Sequence, residues 1–293
     1  MESGPIWQLI DSIEGNFIEI MNRTIANIVD SHTHSLFSPD SSTPIAEAAK
    51  AAERVGVAGF AITDHYDLNA PGETARFIFD PKEQQAQIAK EQQGTTLKIL
   101  RGVELGLLPY NLEEMAQKLS TIQFDVVIAS LHIVDGVDPY FQPYYDGKSS
   151  KEAYGRYLEQ FYTLAEQYSD FDIFGHHDYI VRYAPYHERV LRYSQHSDIL
   201  DTIFKYLIYN GKAFEINSAT YRDRGGAVPQ IDKDSIKRFV ELGGELVSLG
   251  SDAHTSDRMG ENFTPLLHLL KSCGVRYITH FENRKSFPQK INL

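Results

Sequence analysis

Short apolar runs recur along the chain at residues 26–29, 59–63, 97–103, 124–130, 171–175, 213–216 and 246–250. Each reads as a buried strand, and amphipathic stretches at helical spacing separate them, near 81–93, 112–119, 150–168, 197–209 and 233–242. Between the first two runs, Thr43 precedes Pro44 and Glu47, which predicts an N-cap with proline at the first helical position. That helix carries an Ala-rich face to Arg54 and stops at Gly56. A closing helix near 265–270 and a last strand at 275–279 are expected to complete the chain. Ahead of the first strand, Ile6, Leu9, Ile10, Ile13, Phe17, Ile20 and Met21 recur at helical spacing. Residues 1–25 are therefore expected to be a helical extension packed on one domain that spans 1–293.

Strands alternating with helices imply parallel strands joined by right-handed crossovers. Seven consecutive units favour closure, so the expected fold class is α/β, a seven-stranded (β/α) barrel. In such barrels the chemistry gathers at the C-terminal ends of the strands. Here a polar group follows every strand: His32 and His34, His65, Glu104, His132, His176, Asn217, and Asp252 with His254. Alternation along a strand puts His32 and His34 on one side, and Asp40 follows a Ser-Pro turn. Six of the eleven histidines fall at strand ends, where random placement would scatter them.

Composition narrows the chemistry. Acidic residues outnumber basic ones 40 to 28, a net charge of −12, which speaks against nucleic acid as a partner. Bound divalent cations would reverse the potential locally, so a small phosphorylated substrate stays compatible with that charge. With Cys273 as the only cysteine, no internal disulfide or thiolate cluster forms, and a reducing, cytoplasmic compartment is expected. No apolar run is long enough for a membrane span, and no basic-then-apolar leader opens the chain. The six histidines with Asp40, Glu104 and Asp252 make nine donors, all nitrogen or oxygen, which suits Zn, Mn or Fe. Nine exceed the needs of one ion, so two to three divalent metal ions with a bridging carboxylate are expected. Such sites acidify a bridging water and clamp the oxygens of a displacement at phosphorus.

The series His32-x-His34, Asp64-His65, Glu104, His132, Gly175-His176 and Gly250-Ser251-Asp252-Ala253-His254 resembles the motifs of the polymerase and histidinol phosphatase (PHP) family. Asp40, Gly175-His176-x-Asp178 and Glu215-Ile216-Asn217 are most similar to its monofunctional histidinol phosphatase branch. The resemblance implies a distorted seven-stranded barrel and a trinuclear centre. His32, His34, Glu104 and Asp252 would hold one ion, Glu104, His132 and His176 a second, and Asp40, His65 and His254 a third. Some members carry histidine at the position of Asp40, and a carboxylate there favours harder ions. Glu104, Asp252 and His254 are the residues tied most directly to turnover.

Arg182 and Arg222, on loops at the predicted mouth, are similar to the family's phosphate-binding positions, with Asn217 beside them as a further substrate contact. Arg224 reads as a solvated surface residue. Asp64 and Asp178 are candidates to accept hydrogen bonds from ligand imidazoles. His177, His187, His196, His268 and His280 take no catalytic part in this reading. The aromatic loop 139–145 is expected to close over substrate. The implied activity is hydrolysis of a phosphomonoester, with L-histidinol phosphate in histidine biosynthesis as first choice. The alternatives are another small phosphomonoester, a metal-dependent amide or ester hydrolase, and a noncatalytic metal-binding module.

Overall fold

The structure, a computed structural model, describes residues 24–293. The expected N-terminal helix lies outside the described residues. In chain order the strands are β1 (Val29–Thr33), β2 (Gly59–Ile62), β3 (His65–Tyr66), β4 (Lys98–Gly106), β5 (Val126–Ser130), β6 (Ile173–Phe174), β7 (Ala213–Asn217) and β8 (Val247–Gly250). They pair in parallel in the order β1-β2-β4-β5-β6-β7-β8. The short β3 resumes the course of β2 beyond Thr63-Asp64 and pairs with β4, His65 opposite Glu104. These are the staves of a nearly closed (β/α) barrel. Its last gap is bridged where the Asp252 N–H donates to the His32 carbonyl at 2.8 Å and Thr33 pairs with Ala253.

Among the described residues seven helices wrap the barrel: α1 (Ile45–Val55), α2 (Pro81–Glu91), α3 (Leu112–Leu119), α4 (Ser150–Gln167), α5 (Tyr193–Tyr209), α6 (Lys233–Glu241) and α7 (Phe263–Ser272). Their apolar faces, such as Ala48, Ala49, Ala51 and Ala52 of α1, pack on the strands in one large core. A smaller apolar cluster gathers residues from the starts of the strands, including Val29, Val126, Ile173 and Ala213, with Phe281.

Two local expectations are corrected. Helix α1 begins at Ile45 with Pro44 as its cap residue, and Thr43 makes no capping hydrogen bond. The Thr43 hydroxyl instead donates to the His254 carbonyl at 3.2 Å, because holding that loop satisfies a carbonyl the helix cannot reach. At the other end, the last strand is half of an antiparallel hairpin, β9 (Tyr277–Glu282) with β10 (Lys285–Lys290). Phe281 of β9 supplies the apolar plug under the barrel, and Arg284 binds Asp172 and Asp170 to fix it there.

Candidate metal centre

The polar groups that follow the strands converge on Glu104. This carboxylate, on β4, is fully buried. Its Oε1 lies 2.8 Å from His176 Nε2 and 3.3 Å from His132 Nε2. Its Oε2 lies 2.9 Å from His65 Nδ1, 3.3 Å from His32 Nε2 and 3.5 Å from His34 Nε2. Burial alone would raise the Glu104 carboxyl, yet His32, His65 and His132 around it hold it well below the usual range. Asp252 follows the same logic: burial opposes ionisation, while His32, His34 and Arg182 favour it. Farther out, Asp40 Oδ2 reaches His254 Nε2 at 3.0 Å and His65 Nε2 at 3.6 Å.

The histidines are oriented from behind. His32 Nδ1 sits 2.7 Å from Glu215 Oε1, and His132 Nδ1 sits 2.8 Å from Asp67 Oδ1. His34 Nδ1 faces the Ser38 hydroxyl at 3.1 Å, and His254 Nδ1 faces the Asp252 carbonyl at 3.1 Å. Each partner can accept a hydrogen bond from Nδ1–H, the tautomer that leaves the Nε2 lone pair directed inward, as metal-ligating imidazoles require. His32 Nε2, His34 Nε2 and Glu104 Oε2 are buried and have no hydrogen-bond partner. Three lone-pair atoms facing one another without a proton between them repel, and a cation between them removes that cost. The donor set thus fits divalent metal ions, and close groups form from His32–His34–Asp252, His32–Glu104–His176, His65–Glu104–His132 and His34–His65–His254.

Local backbone delivers these side chains. Asp252 has φ of 52°, a left-handed turn that a non-glycine residue adopts at some cost. It reverses the chain so that both Asp252 and His254 face the centre. Asp30, buried at the mouth of the first strand, accepts from the Ser251 and Gly260 N–H groups and ties that turn down. Burial pushes its carboxyl up to about 6.

Above the centre opens a cavity of about 520 Å³. Asp40, His65, His132, His176, Asp252 and His254 line its floor, and Arg182, Arg222 and Arg224 reach it from the loops after β6 and β7. Arg182 is only 2% exposed, and its Nη1 donates to Asp252 Oδ2 at 2.7 Å, while Nε and Nη2 have no partner. Arg222 bonds Glu261 and the Ser251 and Asp252 carbonyls. Asn217 stands behind Asp252, its amide 3.4 Å from Oδ2, and it is absent from the cavity lining.

Several residues differ from the sequence reading. Arg224 is no surface residue: it lines the cavity, its guanidinium 5.3 Å from the Tyr183 ring and bonded to the Ala219 carbonyl. Asp64 touches no imidazole; it accepts from Ser35, Ser38 and Gln84 and so shapes the loop that carries His34. Asp178 accepts from the Thr220 hydroxyl instead. Of the aromatic loop, Tyr140 and Phe141 line the cavity, but Tyr144 and Tyr145 are buried with their hydroxyls on backbone carbonyls. Asp67 and the role of Glu215 were missed. Both carried a signal, since Asp67 lies two residues past His65 and Glu215 is a carboxylate amid an apolar strand.

The PHP domain family matches residues 30–219. The chain belongs to the PHP family. The match ends before Asp252 and His254, which the structure brings to the same centre. The probable histidinol-phosphatase of Clostridium acetobutylicum is 33% identical over 88% of this PHP chain and 98% of its own length. The histidinol-phosphatase of Lactococcus lactis is 28% identical over 90% and 98%. The crystal structure of histidinol phosphate phosphatase from Lactococcus lactis, complexed with zinc, L-histidinol and phosphate, superposes with a TM-score of 0.78 at 27% identity. It covers 89% of this chain and 99% of its own.

Proposed function

We propose that this PHP chain hydrolyses L-histidinol phosphate to L-histidinol and phosphate, as a metal-dependent phosphomonoesterase. The observation that carries the reading is the convergence of partnerless lone pairs on Glu104 beneath a cavity that also holds the half-free guanidinium of Arg182. The similarity to proteins named histidinol-phosphatases across most of the chain supports the choice of ester.

Two to three divalent ions, zinc, manganese or iron, are assigned to the donors. His32, His34, Glu104 and Asp252 would hold one. Glu104, His132 and His176 would hold the second, and Asp40, His65 and His254 the third. When bound, the ions supply Lewis acidity toward phosphoryl oxygens and acidify water.

The chain's own groups do the rest. Arg182 offers two free donor nitrogens to the phosphoryl oxygens while Asp252 fixes its third, so the fork is positioned before substrate arrives. Arg222, held by Glu261 and the carbonyls of the Asp252 turn, lines the same cavity. Asn217 holds Asp252 in place beside them. Tyr179, Tyr183 and Phe77 narrow the cavity and displace water from the reacting ester.

The test is phosphate release from L-histidinol phosphate by wild type and by Asp252→Asn, with the fold checked by circular dichroism. Turnover should fall by about 1,000-fold or more in the variant. Wild-type turnover in Asp252→Asn would remove Asp252 from the machinery and the reading with it.

A further inference from the structure

The cavity has two electrical characters. The loops after β6 and β7 bring Arg182, Arg222 and Arg224, and the loops after β3 and β5 bring Glu73 and Asp138. The two sets meet where the Tyr140 and Tyr183 rings approach to 4.8 Å, with Arg224 over the far ring. Tyr179 marks the same boundary, since both Asp138 and Arg182 act on its hydroxyl.

Asp138 is the unusual member. It is half-buried in the wall, accepts the Tyr140 N–H at 2.8 Å and interacts with the Thr74 hydroxyl. No lysine or arginine among the described residues forms an ion pair with it, and burial pushes its carboxyl up. The one arginine on that side, Arg76, lies over the Phe77 ring at 5.7 Å. A partly buried carboxylate with no lysine or arginine beside it, and only the His132 imidazole acting favourably on it, gains free energy from a cationic ligand. The same cavity presents Arg182, almost wholly buried with Nε and Nη2 unpartnered, which calls for an anion. A ligand that satisfies both ends carries a phosphate and a cation.

We propose that Asp138, with Thr74 beside it and Glu73 at the rim, forms a cation subsite that docks the ammonium of an amino-alcohol phosphate while Arg182 docks the phosphoryl end. The proposal rests on the phosphatase reading and adds the determinant of the leaving group. Asp138 selects and orients the ester; it takes no part in the displacement.

The experiment is calorimetric titration of L-histidinol into zinc-loaded wild type and zinc-loaded Asp138→Asn. Loss of the charge should weaken L-histidinol by about 10- to 30-fold and leave inorganic phosphate binding unchanged. A wild-type arm with N-acetyl-L-histidinol, which lacks the cation, should show a similar loss and does not depend on the variant folding. Equal L-histidinol affinity in both proteins, equal affinity of wild type for the acetylated compound, or no wild-type binding would overturn the subsite. Turnover is read separately. Asp138→Asn should raise KM for L-histidinol phosphate and spare p-nitrophenyl phosphate, whose leaving group carries no cation. A uniform fall in both kcat values would mark Asp138 as merely structural. Failure of wild type to release phosphate from either ester strikes the phosphatase reading, whereas the titrations decide the subsite on their own.

Discussion

At the scale of single residues, the centre depends as much on what stands behind the histidines as on the histidines. Glu215 is 1% exposed and binds His32 Nδ1 through one oxygen and the His176 N–H through the other. It thereby ties the His32 imidazole to the backbone that carries His176 on a different stave. Burial opposes its ionisation, but His32 beside it holds the carboxyl below its ordinary range. Glu215→Gln keeps the volume and removes the charge that sets the His32 tautomer. Metal affinity should drop by about 10- to 100-fold, read by equilibrium dialysis against zinc, with the fold unchanged. Unaltered affinity would mean that the ring needs no such support. The histidines themselves were legible from sequence because their positions follow apolar runs. The groups behind them were less so, since a tautomer is set by a contact across 183 residues of chain.

Elements carry the second level of specification. The alternation of apolar runs with amphipathic stretches prefigured all seven staves and most of the helices, because burial on both faces leaves few polar positions inside a parallel strand. The hairpin was harder to see. β10 reads Lys-Ser-Phe-Pro-Gln-Lys, largely exposed, with a proline that only an edge strand tolerates. The strand ends also impose tight geometry that composition does not announce. A Cβ on Gly250 would lie 2.5 Å from Glu215 Oε1 and 2.5 Å from the His32 Cβ. Gly250→Ala should therefore destabilise the fold by about 1–3 kcal/mol in denaturant titration and weaken zinc retention together. Loss of stability with full zinc retention would show that β8 can shift without disturbing the centre.

For the whole molecule, the net charge of −12 and the anionic substrate are reconciled by where the charges sit. Carboxylates gather under the ions that they would hold, and arginines face the open cavity. No helix among the described residues is long and apolar enough to cross a membrane. The order of ligands along the chain made the centre readable before any coordinates. The cavity walls were not, because loops lack periodicity. Nothing in the run Arg222-Asp223-Arg224-Gly225 says which arginine turns inward, and both do. The central claim is that these parts make a phosphatase of L-histidinol phosphate. The most direct measurement is phosphate release from that ester and from a panel of small phosphomonoesters, by protein loaded separately with zinc, manganese and Fe(II). The structure predicts kcat/KM for L-histidinol phosphate at least about 100-fold above that for p-nitrophenyl phosphate. Metal-loaded, folded protein that releases no phosphate from any ester would contradict it.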